Sequence, residues 1–98
     1  MSRHVVFQAL ADLELNAAAQ YYERESRGLG TAFLTEVQRC SDSILDHPNI
    51  GVLVRGDVRR RLVTRFPYAL LYRVTSQQVR ILAVMNLRRR PFYWVGRQ

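Results

Sequence analysis

The stretch YALLYRV at 68–74 is apolar nearly throughout and rich in aromatic and aliphatic strand formers, the pattern of a central strand buried on both faces. Read on to Thr75, it is bounded by turn-forming segments, FP at 66–67 and SQQ at 76–78. Beyond those turns the strand pattern repeats on either side, as Val58–Val63 and Val79–Met85, so three consecutive strands are expected here. Val52–Val54 is a further candidate strand, and GD at 56–57 turns the chain back from it.

Side chains alternate between the two faces of a strand. In Val79–Met85 the alternation places Val79, Ile81, Ala83 and Met85 on one face and Arg80, Leu82, Val84 and Asn86 on the other. In Val58–Val63 it places Arg59, Arg61 and Val63 on one face and Val58, Arg60 and Leu62 on the opposite one. Two arginines, Arg59 and Arg61, therefore project side by side.

Upstream the period changes. HVVF at 4–7 is an opening strand, after which Leu10, Leu13, Ala17 and Tyr21 recur at helical spacing, with Glu14, Gln20 and Arg24 left for the solvated face. This helix is expected to end near Arg27, where Gly28 and Gly30 bracket Leu29 and supply a tight connection. A second helix is expected from Thr31 to Asp46, with Phe33, Val37, Cys40 and Ile44 on one stripe and Leu34 and Leu45 widening it. HPN at 47–49 stops it, because Pro48 cannot continue a helix. Of the adjacent Tyr21 and Tyr22, at most one can be fully buried. The expected fold is α+β, a helical hairpin packed on a mainly antiparallel sheet in the order β-α-α-β-β-β, one domain over 1–98.

Charge is distributed unevenly. Of 98 residues, 48% are apolar and 23% charged, ordinary values for a globular chain, but the net charge is +7 and all 15 basic residues are arginine. Residues 1–57 hold 5 arginines and all 8 carboxylates, whereas residues 58–98 hold 10 arginines and no carboxylate. A surface of one sign attracts phosphate or acidic protein. No apolar run is long enough to span a membrane and no signal-peptide pattern opens the chain, which points to a cytoplasmic protein. One cysteine, Cys40, and two distant histidines, His4 and His47, give no metal-ligand spacing, and no phosphate-binding or dinucleotide fingerprint calls for a cofactor.

The basic half ends in NLRRRPFYWVGR at 86–97. Arg88, Arg89 and Arg90 are consecutive, Pro91 stops regular pairing, and Phe92, Tyr93 and Trp94 follow as three aromatic rings. Arginine forks bind carboxylate or phosphate, and aromatic faces stack on bases or on guanidinium groups. The arginines read as a partner contact, while Trp94 reads rather as cover for the sheet.

Taken in order, FQALADLELNAAAQYYE at 7–23, GLGTAFLTEV at 28–37, RRRLVTRFPYALLYRV at 59–74 and ILAVMNLRRRPFYW at 81–94 resemble the ParE/RelE superfamily of bacterial type II toxins, most nearly its ParE-like branch. The resemblance implies the fold read above and a plasmid-stabilising or stress-response toxin held by a cognate antitoxin, a small ribbon-helix-helix protein with an acidic tail, in a hetero-oligomer. ParE-like members bind and poison DNA gyrase. The binding residues would then be Arg59, Arg61, Arg65, Arg88, Arg89, Arg90, Tyr93 and Trp94. RelE-like members are ribosome-dependent mRNA endoribonucleases, and for that alternative the catalytic residues would be Arg59, Arg61, Arg88 and Tyr93; a degenerate toxin that binds only antitoxin is the third reading. Two departures stand out. RelE-like nucleases commonly carry Tyr-Arg-Leu where this chain has Tyr68-Ala69-Leu70, and many ParE-like chains carry histidine at the position of Asn86. An alanine binds no phosphate, and arginine is a poor general base.

Overall fold

The computed structural model describes residues 2–98. It contains β1 (His4–Phe7), α1 (Ala9–Glu25), α2 (Leu29–Asp46), β2 (Val52–Arg55), β3 (Val58–Leu62), β4 (Tyr68–Val74) and β5 (Gln78–Asn86). The five strands form one sheet in the order β1-β5-β4-β3-β2. β2 to β5 pair antiparallel in sequence, and β1 joins β5 in parallel after the helical crossover. The candidate strand at 52–54 is therefore real and adds one strand to the expected order; the other elements lie where the sequence pattern put them, with α2 beginning at Leu29 rather than Thr31.

YALLYRV is central, flanked by β3 and β5. Leu70 and Tyr72 face the helices, Ala69 and Leu71 face away, and all four are buried. On the helix side, Tyr22, Phe33, Phe66 and Tyr68 meet with ring centroids 4.9–6.1 Å apart, mostly edge to face. Phe33, Val37, Cys40 and Ile44 are buried as their stripe on α2 requires, but Leu34 is exposed. The helices approach closely at Gly30, where any Cβ would stand 2.5 Å from the carbonyl oxygen of Ala19. Glu23 ties that junction, accepting from the backbone N–H of Gly28 and of Gly30 at 3.0 Å each.

Two expected faces differ, one along the whole of α1 and one in β5 beyond Leu82. On α1 the stripe Leu10, Leu13 and Tyr21 is exposed, Leu13 by 64%, and the face against the sheet carries Ala11, Leu15, Ala18 and Tyr22. Small alanines let the helix lie close to the sheet, and Glu14 sits on this same face because its carboxylate finds partners there. On β5 the alternation breaks at a bulge: Leu71 pairs with Ala83 and Tyr72 with Ile81, which leaves Leu82 as the extra residue. Val79, Ile81 and Val84 consequently face the helices, whereas Leu82, Ala83 and Met85 face the opposite side.

After β5 the chain makes a run of turns through Pro91–Gly96 and folds back over the outer sheet face. Trp94 is 4% exposed and packs there with Val58, Ala69, Leu71, Leu82 and Ala83. The sheet thus has the helical hairpin on one side and the carboxy-terminal segment on the other.

Candidate functional site

The carboxy-terminal segment is attached through Glu14. β1 ends at Phe7, paired with Ile81, so the edge of β5 beyond Ile81 has no strand partner. Glu14 and Arg97 fill that edge: the Val84 N–H donates to Glu14 Oε1 at 3.0 Å, and Arg97 Nη1 donates to the Leu82 carbonyl at 3.1 Å. The two side chains also pair with each other, Arg97 Nη1 lying 2.8 Å from Glu14 Oε1 and Nη2 3.2 Å from Oε2, with side-chain exposures of 13% and 18%. The Tyr93 hydroxyl completes the cluster by donating to Glu14 Oε2 at 2.7 Å. Burial, then the hydrogen bond and charge of Glu14, push the Tyr93 phenol well above its ordinary value of 10.0. Burial lowers the Arg97 guanidinium, but the bond and charge of Glu14 overcome this and raise it.

The basic residues singled out from the sequence fall into separate places. Arg59 and Arg61 do share a face, the one toward the helices. Arg59 is committed locally: it donates to the carbonyls of Asn49 at 3.2 Å and Gly51 at 2.8 Å, holding the α2–β2 loop. Tyr72 helps from below, donating to the Pro48 carbonyl at 2.8 Å and accepting from the Gly51 N–H at 2.9 Å. Arg61 lines a cleft of about 280 Å³ between α2 and β3, beside Glu36, Arg39 and Cys40. Burial lifts the Cys40 thiol from 9.0 to about 11, partly opposed by Arg61. A thiol so held is protonated at neutral pH and is a core group.

Arg65 stands in the β3–β4 connection with φ of 74°, its guanidinium 5.5 Å from the Phe66 ring centroid. Arg88, Arg89 and Arg90 lie on the exposed turn after β5. Asn86 organises that turn, its carboxamide oxygen accepting from the Arg88 N–H at 2.9 Å and its carbonyl from the Arg89 N–H at 3.0 Å. Arg89 covers the Tyr93 ring at 4.1 Å from its centroid. It also lines a cleft of about 230 Å³ with Glu14, Tyr21, Tyr68 and Asn86. That cleft and the one lined by Arg61 share no residue, and neither is lined by Arg59, Arg88 or Tyr93. Trp94 is largely buried, its ring packed on the outer face of the sheet with 4% of the residue left exposed.

Glu14, Arg60 and Arg97 were not among the residues the sequence pattern favoured. Glu14 had one signal, its spacing of three and four from Ala11 and Ala18 on a helix of small residues. Arg60 follows from strand alternation once its face is known: it points to the outer side, where Ala69 and Trp94 lie, and is exposed. Arg97 had none, because its partner lies 83 residues away.

The family model for the ParE toxin of the type II toxin-antitoxin system parDE matches residues 5–91. The chain belongs to the ParE toxin family. Among solved structures, this ParE-type toxin is similar to a chain described as the chromosomal ParDE TA system from P. aeruginosa, with a TM-score of 0.75 and 17% identity over 88% of this chain and 96% of that one. At that identity the likeness shows a shared fold. No curated protein sequence matches significantly. The Tyr68-Ala69-Leu70 segment of this ParE-family chain puts Ala69 in the buried outer layer with Trp94, and an alanine there has no group to grip a phosphate.

Proposed function

We propose that this ParE-family toxin inhibits growth in the cytoplasm by binding, with DNA gyrase as its target, and that a cognate antitoxin with an acidic tail neutralises it in a heteromeric complex. The observation that carries binding over RNA cleavage is the state of Tyr93. Its hydroxyl is tied to Glu14 at 2.7 Å, beneath Arg89, and its phenol is raised above the ordinary value, so it is poorly suited to move a proton near neutral pH. The remaining basic groups are arginines, which grip anions and transfer protons poorly. Arg88, Arg89 and Arg90 on their exposed turn are the surface proposed to meet the acidic partner.

The test pairs two assays. Purified toxin is expected to inhibit gyrase supercoiling, to leave reporter messages intact in a translating extract, and to lose its effect when the protein encoded in the adjacent reading frame is added. Message cleavage with supercoiling untouched would replace this reading by the endoribonuclease one; inactivity in both assays with a tight antitoxin complex would leave a toxin that only binds antitoxin.

A further inference from the structure

The outer sheet face carries a groove of about 220 Å³, floored by Leu71, Met85 and Trp94 and walled by Arg60 and Phe92. Its size is below the roughly 300–1,000 Å³ of pockets that take small molecules, and suits one or two apolar side chains. Its rim is cationic. Arg60 lies in the wall, and Arg55 stands beside it with its guanidinium 5.7 Å from the Phe92 ring centroid. No carboxylate occurs from residue 58 to 98, and the nearest one in sequence, Asp57, is bonded to Arg73 at 2.9 Å.

Phe92 adds an independent sign. Its φ of 62° lies in the left-handed region, which an aromatic residue seldom adopts. Burial does not explain the strain, since Phe92 is 48% exposed. Strained residues of this kind collect at ligand clamps, where the geometry is held ready for a contact.

We propose that this groove receives an acidic peptide segment of the antitoxin, which lays one large apolar side chain on the floor of Leu71, Met85 and Trp94, beside Phe92, and sets carboxylates against Arg60 and Arg55. The proposal rests on the reading that an antitoxin is the partner, and adds where and by what chemistry it is gripped. Nucleic acid suits the site less: the floor is apolar, and Arg55 already occupies the Phe92 ring on which a base would stack.

Trp94 is the one tryptophan of the chain and lines the groove, so its emission reports occupancy there. The probes are synthetic peptides tiling the acidic tail of the protein encoded in the adjacent reading frame, the intact protein, and a single-stranded RNA oligonucleotide. One peptide is expected to change Trp94 emission saturably, and replacing a single apolar residue of that peptide by alanine to weaken it at least tenfold. Arg60→Ala and Phe92→Gly should each weaken both peptide and intact antitoxin at least tenfold. Phe92→Gly should do so with Tm unchanged or raised, because glycine relieves the left-handed strain; exposed Arg60 carries the same test if that variant is less stable. Equal affinity of intact antitoxin for wild type and both variants would overturn the groove while leaving the antitoxin reading in place. A wild type that fails to bind the intact protein would end both. A response of Trp94 to the RNA alone would assign the groove to nucleic acid and overturn the proposal.

Discussion

The hydroxyl of Tyr93 donates a 2.7 Å hydrogen bond to the carboxylate of Glu14, joining residues 79 positions apart. Through it the first helix holds the carboxy-terminal segment against the sheet. Glu14 at the same time accepts from Arg97 and from the Val84 backbone, so one carboxylate closes a strand edge and anchors a tail. Glu14→Gln is expected to destabilise the fold by about 2–4 kcal/mol in urea unfolding, because Arg97 is left largely buried without its counter-charge. Tyr93→Phe should cost about 1–2 kcal/mol. The two losses should be clearly less than additive, since both act on one network; additivity would show the cluster to be incidental.

Cys40 gives a pH dependence with a defined sign. Its folded pKa of about 11 stands above the ordinary 9.0, so the folded state holds the proton more tightly than the unfolded chain. The stability this contributes is complete below pH 9 and is lost as pH rises toward 11. Relative to Cys40→Ala, the wild type should lose about 2 kcal/mol more between pH 8.5 and pH 11, a two-unit shift being worth about 2.7 kcal/mol at most. Tyr22, Tyr72 and Tyr93, all raised by burial, add their own decline above pH 10 in both proteins. Urea midpoints against pH measure the difference, and parallel curves would contradict a buried thiol.

The loop after α2 depends on Gly51 and Tyr72 together. A Cβ at Gly51 would lie 2.6 Å from the Tyr72 hydroxyl oxygen and 2.9 Å from the Arg60 carbonyl. Gly51→Ala is expected to cost about 2–3 kcal/mol through this overlap. Tyr72→Phe should cost about 2–3 kcal/mol by leaving the Pro48 carbonyl and the Gly51 N–H without their partner. Thermal unfolding of the two variants and of the double variant should show a combined loss smaller than the sum.

The orientation of α1 is open to a direct test. Leu13→Gln, on the exposed stripe, should change stability by less than about 0.5 kcal/mol, whereas Ala11→Leu, at a residue with 0% exposure, should cost about 1–3 kcal/mol by overpacking. The reverse order in denaturant unfolding would mean that the helix presents its leucines to the sheet.

The arginine turn should separate binding from folding. Changing Arg88, Arg89 and Arg90 together to alanine is expected to weaken the antitoxin complex and flatten its dependence on salt. The stability cost should stay near 0.5–1 kcal/mol, about what is lost when the Arg89 guanidinium leaves the Tyr93 ring. Titration at two salt concentrations, with a melt of each protein, checks both halves.

Local pattern by itself determined a good deal of this protein. The apolar run YALLYRV marked the central strand, the turns FP and SQQ set its neighbours, and the stripe from Phe33 to Ile44 oriented α2, because each of these signals is carried by residues close together in the chain. The charge division at residue 58 and the ordered family segments likewise needed nothing beyond the sequence. Which face of α1 is buried did not follow, since its leucines and alanines both recur at helical spacing and only the presence of the sheet selects the smaller ones. The bulge at Leu82 could not be read either, because one inserted residue reverses every later side chain and leaves no mark in the composition. Tyr93 shows the same limit most sharply: as a residue type it was a candidate acid or base, and tertiary structure alone set a carboxylate from the first helix against its hydroxyl, raising its pKa and committing it to holding the tail.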